Sequence, residues 1–246
     1  MELMQRFFQL DTEWCVVHVP ERPNGFGIIV LGDKNHFVDE DTSFLIQNQG
    51  RLYMLNELIS QGYTVFYSNL YGRHWGSKSA VLLAKRLYHY IMKSEILNDR
   101  IHILAEGMGA LVGLQLADTL DEHIRTIALI NPCINLQAHI EHEKDYKFFY
   151  KQLLKELAKA YKIDEKSLIQ EITGSLPNLN FNIDIPIAIW QTTDRKSFNP
   201  EFHTRMVEEQ RKKVGKPIFI SYLVAEKKYR MAGSICRFFK QHEEEL

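Results

Sequence analysis

Short apolar runs alternate along the chain with longer stretches in which apolar residues recur at helical spacing. Runs rich in β-branched and aromatic residues are typical of strands, and their alternation with helical stretches predicts parallel strands joined by crossover helices. The first two runs, MQRFFQL and WCVVHVP, predict an opening hairpin. Six further strands are predicted at residues 27–32, 64–69, 100–106, 124–131, 185–191 and 217–224. The pattern therefore predicts an α/β fold with eight strands.

Crossover helices are predicted at residues 51–62 and 79–94, which carry apolar positions at helical spacing and end in polar residues or glycine. Further helices are predicted near residues 108–120, 200–214 and 230–244. Residues 134–183 separate two strands by far more than a crossover needs, and an amphipathic stretch there, KDYKFFYKQLLKELAKAY, precedes a second helix, DEKSLIQEI. This segment predicts a helical insertion, in which the HIEHE cluster at residues 139–143 is typical of a solvated helix face.

Composition narrows the classes of function. The chain has 246 residues, of which 45% are hydrophobic and 25% charged, so we expect one globular domain over residues 1–246 that contains the insertion. A formal net charge of −1 gives no electrostatic attraction toward nucleic acid or an anionic membrane surface. We therefore expect neither of these partners.

The cysteines and the N-terminal residues indicate a cellular location. Cys15, Cys133 and Cys236 are widely spaced, which favours neither a disulfide framework nor a zinc site. The first residues are too polar for a signal peptide, and no apolar run approaches the ~20 residues that span a bilayer. We therefore expect a cytoplasmic protein.

The stretch RIHILAEGMGALVGLQLA carries the most information about function. Its pattern predicts a buried strand, a sharp glycine-rich turn and an apolar helix, which is the context of a nucleophile elbow. An elbow has small residues two positions either side of the nucleophile, because larger side chains would collide in so tight a turn. Ala105 and Gly109 fill these two positions and leave Gly107 at the tip, where it offers no side chain that can react.

With the preceding residues, the stretch NDRIHILAEGMGALVGLQLA resembles the α/β-hydrolase superfamily, especially its esterase and dienelactone-hydrolase-like branch. That branch usually has the pattern D-x-x-R-I-x-x-x-G-x-S-M-G-G. The match is close at Asp99, Arg100, Met108 and Gly109 and departs at Gly107. The resemblance implies a three-layer fold with an eight-stranded, mostly parallel sheet, and it implies that residues 134–183 form a helical lid.

The resemblance also implies positions for the remaining catalytic groups. Asp194, in QTTDR after the strand at 185–191, corresponds to the acid of a catalytic triad. The histidine should precede the last helix, but AEKKYRMAGS contains none, and its place is taken by Lys227, Lys228 or Tyr229. The chain thus resembles a degenerate member of the superfamily, without the nucleophilic serine and the catalytic histidine.

Several residues are expected around the missing nucleophile. The backbone of Met108 would supply one oxyanion donor and the turn at Gly32 the other, with Asp33 where a negative charge opposes the chemistry. His36, His74 and Glu106 are expected to lie in the same pocket at the edge of the sheet. His74 belongs to YGRHWGSKS, which loosely resembles the R-G-H-G-x-S turn of the family.

These features favour a catalytically impaired protein, a pseudoenzyme, that binds a small molecule or a protein partner in or over a lidded pocket. The first alternative is an esterase-like hydrolase with a displaced nucleophile, drawn from Ser77, Ser79 and Cys133, and with His36 or His74 as base. The second is a purely structural subunit, which predicts a filled pocket. A metal site from His36, His74, Glu106 and Asp194 lacks any supporting spacing, and no phosphate-binding glycine motif opens a helix, so neither metal nor cofactor is expected.

Overall fold

One sheet runs through the molecule with the strand order β1-β2-β4-β3-β5-β6-β7-β8. The computed structural model describes residues 4–165, 167–177, 179–193, 198–224 and 231–243. The strands are β1 (Met4–Leu10), β2 (Glu13–Val19), β3 (Gly27–Leu31), β4 (Thr64–Ser68), β5 (Ile101–Glu106), β6 (Ile124–Ile130), β7 (Ile187–Thr192) and β8 (Ile218–Leu223). All eight predicted strands are confirmed, with ends that shift by up to two residues.

The direction of the strands sets where loops can meet. β1 and β2 form the predicted hairpin, and β2 also pairs antiparallel with β4. All the remaining pairs are parallel, so the carboxyl ends of β3 to β8 lie at one edge of the sheet. Loops that leave this edge can bring residues distant in sequence together.

Helices cover both faces of the sheet. They are α1 (Phe44–Gln47), α2 (Gln49–Ser60), α3 (Lys78–Ser94), α4 (Gly109–Leu120), α5 (Leu136–Glu143), α6 (Lys147–Tyr161), α7 (Leu168–Ser175), α8 (Thr204–Lys213) and α9 (Met231–Lys240). One apolar cluster joins the sheet to α3, α4 and α8, and a second joins it to α2 and α9. The predicted three-layer arrangement is confirmed.

Successive side chains of a central strand point to opposite faces of the sheet, so each central strand contributes residues to both clusters. On β3, Ile29 and Leu31 belong to the first cluster and Ile28 and Val30 to the second. Fully burying such a side chain contributes about 1.5–3 kcal/mol, so a strand that is buried on both faces is strongly held. This rigidity fixes the position of the loops at its end.

An insertion made of the helices α5, α6 and α7 lies between β6 and β7. Its apolar residues, such as Leu157 of α6, form a third cluster with Trp75, Met108, Leu111 and Phe198. The insertion therefore packs over the turn that follows β5. Among the residues described, none of the helices combines the length and the apolar character that a bilayer crossing requires.

Candidate functional site

The turn between β5 and α4 has the predicted strand–turn–helix geometry. Gly107 follows β5 with φ +53°, a left-handed conformation that glycine adopts without steric cost. Its N–H donates to the carbonyl of Ile130 at 3.0 Å, and its carbonyl accepts the N–H of Cys133 at 2.8 Å. These two bonds tie the turn to β6 and the residues after it.

The start of α4 comes very close to β3. A Cβ added to Gly109 would lie 2.2 Å from the carbonyl oxygen of Leu31. Any larger side chain would have to push the backbone of a central strand aside, which explains the small residue that the elbow pattern requires there.

The carboxylate of Asp33 occupies the space beside Gly107. A Cβ built on Gly107 would lie 2.1 Å from Asp33 Cγ and 2.2 Å from its Oδ1. The same Oδ1 accepts the backbone N–H of Met108 at 3.0 Å. A side chain from the loop after β3 thus fills the volume that any residue other than glycine at position 107 would need.

An ion pair between Arg51 of α2 and Glu106 lies next to this carboxylate. Burial lowers the pKa of the Arg51 guanidinium, and the negative charge of Asp33 partly offsets that effect. Arg51 was not a sequence candidate, because a single polar residue on a helix gives no signal of a partner 55 positions away.

Two buried histidines lie close to the turn. Burial lowers the pKa of His36 to about 4, and burial together with nearby His36 lowers the pKa of His74 to about 3. His36 fits because Gly32 has no side chain: a Cβ there would lie 2.1 Å from its Cγ. His74 Nδ1 accepts the N–H of Gly76 at 3.2 Å. Both rings are therefore neutral near pH 7.

The alternative nucleophiles have other neighbours. The hydroxyl of Ser77 lies 3.1 Å from that of Ser79, and burial raises the pKa of the Cys133 thiol well above its ordinary value. The backbone N–H of Ser77 donates to the carbonyl of His74 at 2.9 Å, but within the described part of the chain no side-chain hydrogen bond joins these three residues to the imidazole of His36 or His74. A nucleophile needs a base within hydrogen-bonding reach, and this arrangement does not provide one.

A cleft of about 760 Å³ lies above the carboxyl edge of the sheet, between the loops after β3 and β4 and the helices α5 and α6. Lys34 Nζ lies 5.3 Å from the ring centroids of both Trp75 and Phe198. Glu156 of α6 pairs with Arg73 and accepts the indole N–H of Trp75 at 2.9 Å. Other lining residues are Asp33, Asn35, His139, His142, Glu143, Tyr146, Phe149, Gln152, Leu153 and Asn199.

The prediction that the HIEHE cluster forms a solvated helix face holds for Glu141 and His142 and is wrong for His139. His139 of the HIEHE cluster is buried, and its ring stacks on Trp75 with centroids 5.4 Å apart. Amphipathic periodicity locates the apolar face of a helix but does not show that a neighbouring aromatic surface will cover a histidine. Among the residues described, no three His, Cys, Asp or Glu side chains are grouped so that they could hold a metal ion.

The comparisons with known proteins rest on structure. No family model matches the sequence, and no curated protein matches it either. The acylaminoacyl peptidase of Pyrococcus horikoshii has a TM-score of 0.70 at 13% identity, over 100% of this chain and 43% of that one. S-formylglutathione hydrolase from Staphylococcus aureus has a TM-score of 0.64 at 12% identity, over 98% of each chain. A thioesterase domain from the curacin biosynthetic pathway has a TM-score of 0.54 at 12% identity, over 98% of this chain and 100% of that one.

At such low identity these likenesses concern the fold alone. The chain has the α/β-hydrolase fold. In this arrangement the sheet edge brings together Gly32, Asp33, His36, His74, Glu106, Gly107 and Met108. Asp194 and Lys228, the other two sequence candidates, lie outside the described residues.

Proposed function

We propose that this chain is a catalytically impaired α/β-hydrolase-fold protein that binds a small molecule in the cleft beneath α5 and α6. The observation that carries the proposal is the carboxylate of Asp33, which lies where the side chain of a nucleophile at position 107 would be. In active members of this fold a serine at the elbow attacks the substrate, and the N–H of the next residue stabilises the oxyanion. Here the Met108 N–H already donates to a carboxylate.

The charge at this position opposes acyl transfer. A tetrahedral intermediate carries a negative oxygen that needs hydrogen-bond donors at 2.7–3.1 Å. Asp33 brings negative charge and an acceptor to that place, so it competes for the donor and repels the developing oxyanion. The absence of a serine at position 107 and the presence of the Asp33 carboxylate both disfavour acyl transfer.

The base is the second missing group. A serine nucleophile needs a histidine that an acid orients. No histidine lies between His203 and His242 in the sequence, although the catalytic histidine of this fold comes just before the last helix. Asp194, at the position of the triad acid, therefore has no histidine in that region to orient.

The cleft supports a binding role. Its volume of about 760 Å³ falls within the ~300–1,000 Å³ typical of small-molecule sites. A subunit with only a structural role predicts a filled pocket, so the cleft disfavours that alternative. Residues 134–183, which contain α5 to α7, would act as a lid whose movement admits the ligand.

The cysteines support the expected cytoplasmic location. Cys15, Cys133 and Cys236 are all buried and free, as is usual in a reducing compartment.

The test is intact-mass analysis after incubation with a fluorophosphonate, beside hydrolysis of short-chain p-nitrophenyl esters by the same preparation. Without an activated nucleophile, we expect no mass increase and no turnover above buffer. A stoichiometric adduct with turnover would overturn the proposal. Peptide mapping, with Ser77→Ala and Cys133→Ser as matched variants, would then identify the displaced nucleophile.

A further inference from the structure

Lys34 places a half-buried ammonium group in the cleft without a carboxylate at ion-pair distance, as far as the described residues show. Its Nζ lies 5.3 Å from the centroids of Trp75 and Phe198, so two rings hold the head group in place by cation–π attraction. A cation that is fixed in this way and lacks a counter-ion attracts an anion.

The other carboxylates of the cleft have neighbours other than Lys34 among the described residues. Glu143 lies 3.9 Å from His139 Nδ1 and 4.0 Å from His142 Nδ1. Arg73 pairs with Glu156, and Gln152 Nε2 also donates to Glu156, at 2.9 Å. Asp33 accepts the Met108 N–H at the start of α4, where the helix dipole is positive, and it lies close to the cationic Arg51. The Met108 N–H and Arg51 thus stabilise the carboxylate of Asp33. The positive charge of Lys34 can therefore attract a ligand.

The rim of the cleft is aromatic. Tyr146 and Phe149 line it on the side of the insertion and are 52% and 58% exposed. Large aromatic side chains that remain in water beside a cleft gain free energy when a flat apolar group covers them. The anion should therefore carry an apolar body that reaches from Lys34 to these rings.

We propose that the cleft binds an organic monocarboxylate with a flat apolar body, whose carboxylate contacts Lys34 and whose body packs on Tyr146 and Phe149. This inference rests on the proposed function, since it names the class of small molecule that the cleft takes. No bond is made or broken in the bound ligand.

Isothermal titration calorimetry of the full chain with 2-naphthoate tests the charge requirement. 2-Naphthylmethanol and 2-naphthylmethylamine serve as the neutral and cationic counterparts. We expect 2-naphthoate to bind about tenfold more tightly than either, because one charge-assisted contact distinguishes them. Absence of naphthoate binding, equal binding of the alcohol, or tighter binding of the amine would each overturn the proposal.

Variants locate the contact. Lys34→Met should weaken naphthoate binding about tenfold, and Lys34→Arg should restore most of it. Lys155→Met removes the same charge from the exposed face of α6, outside the cleft, and should leave the affinity unchanged. Equal affinities of wild-type protein and Lys34→Met would contradict the assignment of Lys34.

Phe149→Ser provides an independent check that does not disturb the buried rings, since Phe149 is largely exposed. It should weaken naphthoate binding several-fold, and unchanged affinity would contradict the packing of the body on the rim. Ester turnover or a fluorophosphonate adduct would overturn the proposed function and leave these binding results standing. The two failures are therefore distinguishable.

Discussion

At the scale of single residues, the close approach of backbones at the elbow decides which side chains the turn admits. Gly109 lies against the carbonyl of Leu31, and Gly107 lies against the carboxylate of Asp33. The first contact belongs to the architecture of any elbow, whereas the second depends on one aspartate from another loop. Substitutions at the two glycines should therefore destabilise the protein for different reasons.

Gly109→Ala should lower the free energy of unfolding by about 2–4 kcal/mol, because its Cβ would lie 2.2 Å from a carbonyl oxygen of a central strand. Gly233→Ala on α9 is the matched control. Its Cβ would meet only the end of the Arg237 side chain at 3.8 Å, so it should be neutral or stabilise by up to about 1 kcal/mol. Urea denaturation followed by circular dichroism measures both, and equal effects would contradict the geometry.

Sequence reasoning found part of this site. The elbow pattern identified Gly107 and Met108 because local spacing defines a turn. The hydrogen bond between Asp33 and Met108 joins residues 75 positions apart, and no local pattern encodes that contact. Arg51 was missed for the same reason, since its partner Glu106 lies on another element.

At the scale of elements, polar contacts of α6 hold the insertion to the body of the molecule. Glu156 of α6 pairs with Arg73 and accepts the indole N–H of Trp75, both from the loop after β4. Tyr161 at the end of α6 donates its hydroxyl to the Trp75 carbonyl at 2.8 Å. These contacts close the wall of the cleft and determine how readily α6 can move.

Glu156→Gln should loosen α6 without unfolding the sheet, because it removes the charge that faces Arg73 and keeps an acceptor for the indole. Hydrogen exchange should become about tenfold faster in α6 and remain unchanged in β5 and β6. The matched control is Glu141→Gln, which removes an exposed pair with Lys144 on α5. Equal acceleration by both variants would show that Glu156 has no special role.

The elements themselves were largely predictable. Strands and long helices follow from hydrophobic periodicity, which depends on residues near in sequence. α1 was missed because its four residues are too few to show a period. The buried position of His139 was missed because the aromatic surface that covers it comes from the loops at Trp75 and Phe198.

At the scale of the whole molecule, buried histidines make the free energy of unfolding decrease at acidic pH. Burial is the main cause that lowers the pKa of five histidines. The pKa is about 4 in His18, His36 and His203 and about 3 in His74 and His139. The unfolded chain takes up these protons near pH 6.5 and the folded chain only near pH 3–4. The neutral buried histidines therefore cost the folded state nothing above pH 6.5, and the free energy of unfolding decreases as the pH falls from 6.5 toward 4.

His139→Phe should flatten this loss by up to about 1.4 kcal/mol per pH unit, the value for one proton, and preserve a ring that stacks on Trp75. The measurement is the free energy of unfolding between pH 7 and pH 4. Gln137→Ala, on the exposed side of the same helix, changes no titratable group and should leave the slope unchanged. A wild-type slope in His139→Phe would contradict a neutral buried imidazole.

The central claim is that the carboxylate of Asp33 fills the position of the missing nucleophile side chain, and a double-mutant cycle tests it most directly. Gly107→Ala should cost about 3 kcal/mol, from left-handed strain and from the overlap at 2.1 Å with Asp33 Cγ. In the Asp33→Ala background only the strain remains, so the same change should cost about 1–2 kcal/mol.

The account therefore predicts a coupling energy of at least about 1 kcal/mol between positions 33 and 107. The free energy of unfolding of four proteins gives this value: wild type, Gly107→Ala, Asp33→Ala and the double variant. The loss of the Met108 hydrogen bond affects both Asp33→Ala proteins and cancels in the cycle. Additive effects would show that Asp33 does not occupy this space, and the explanation of lost catalysis would fail with it.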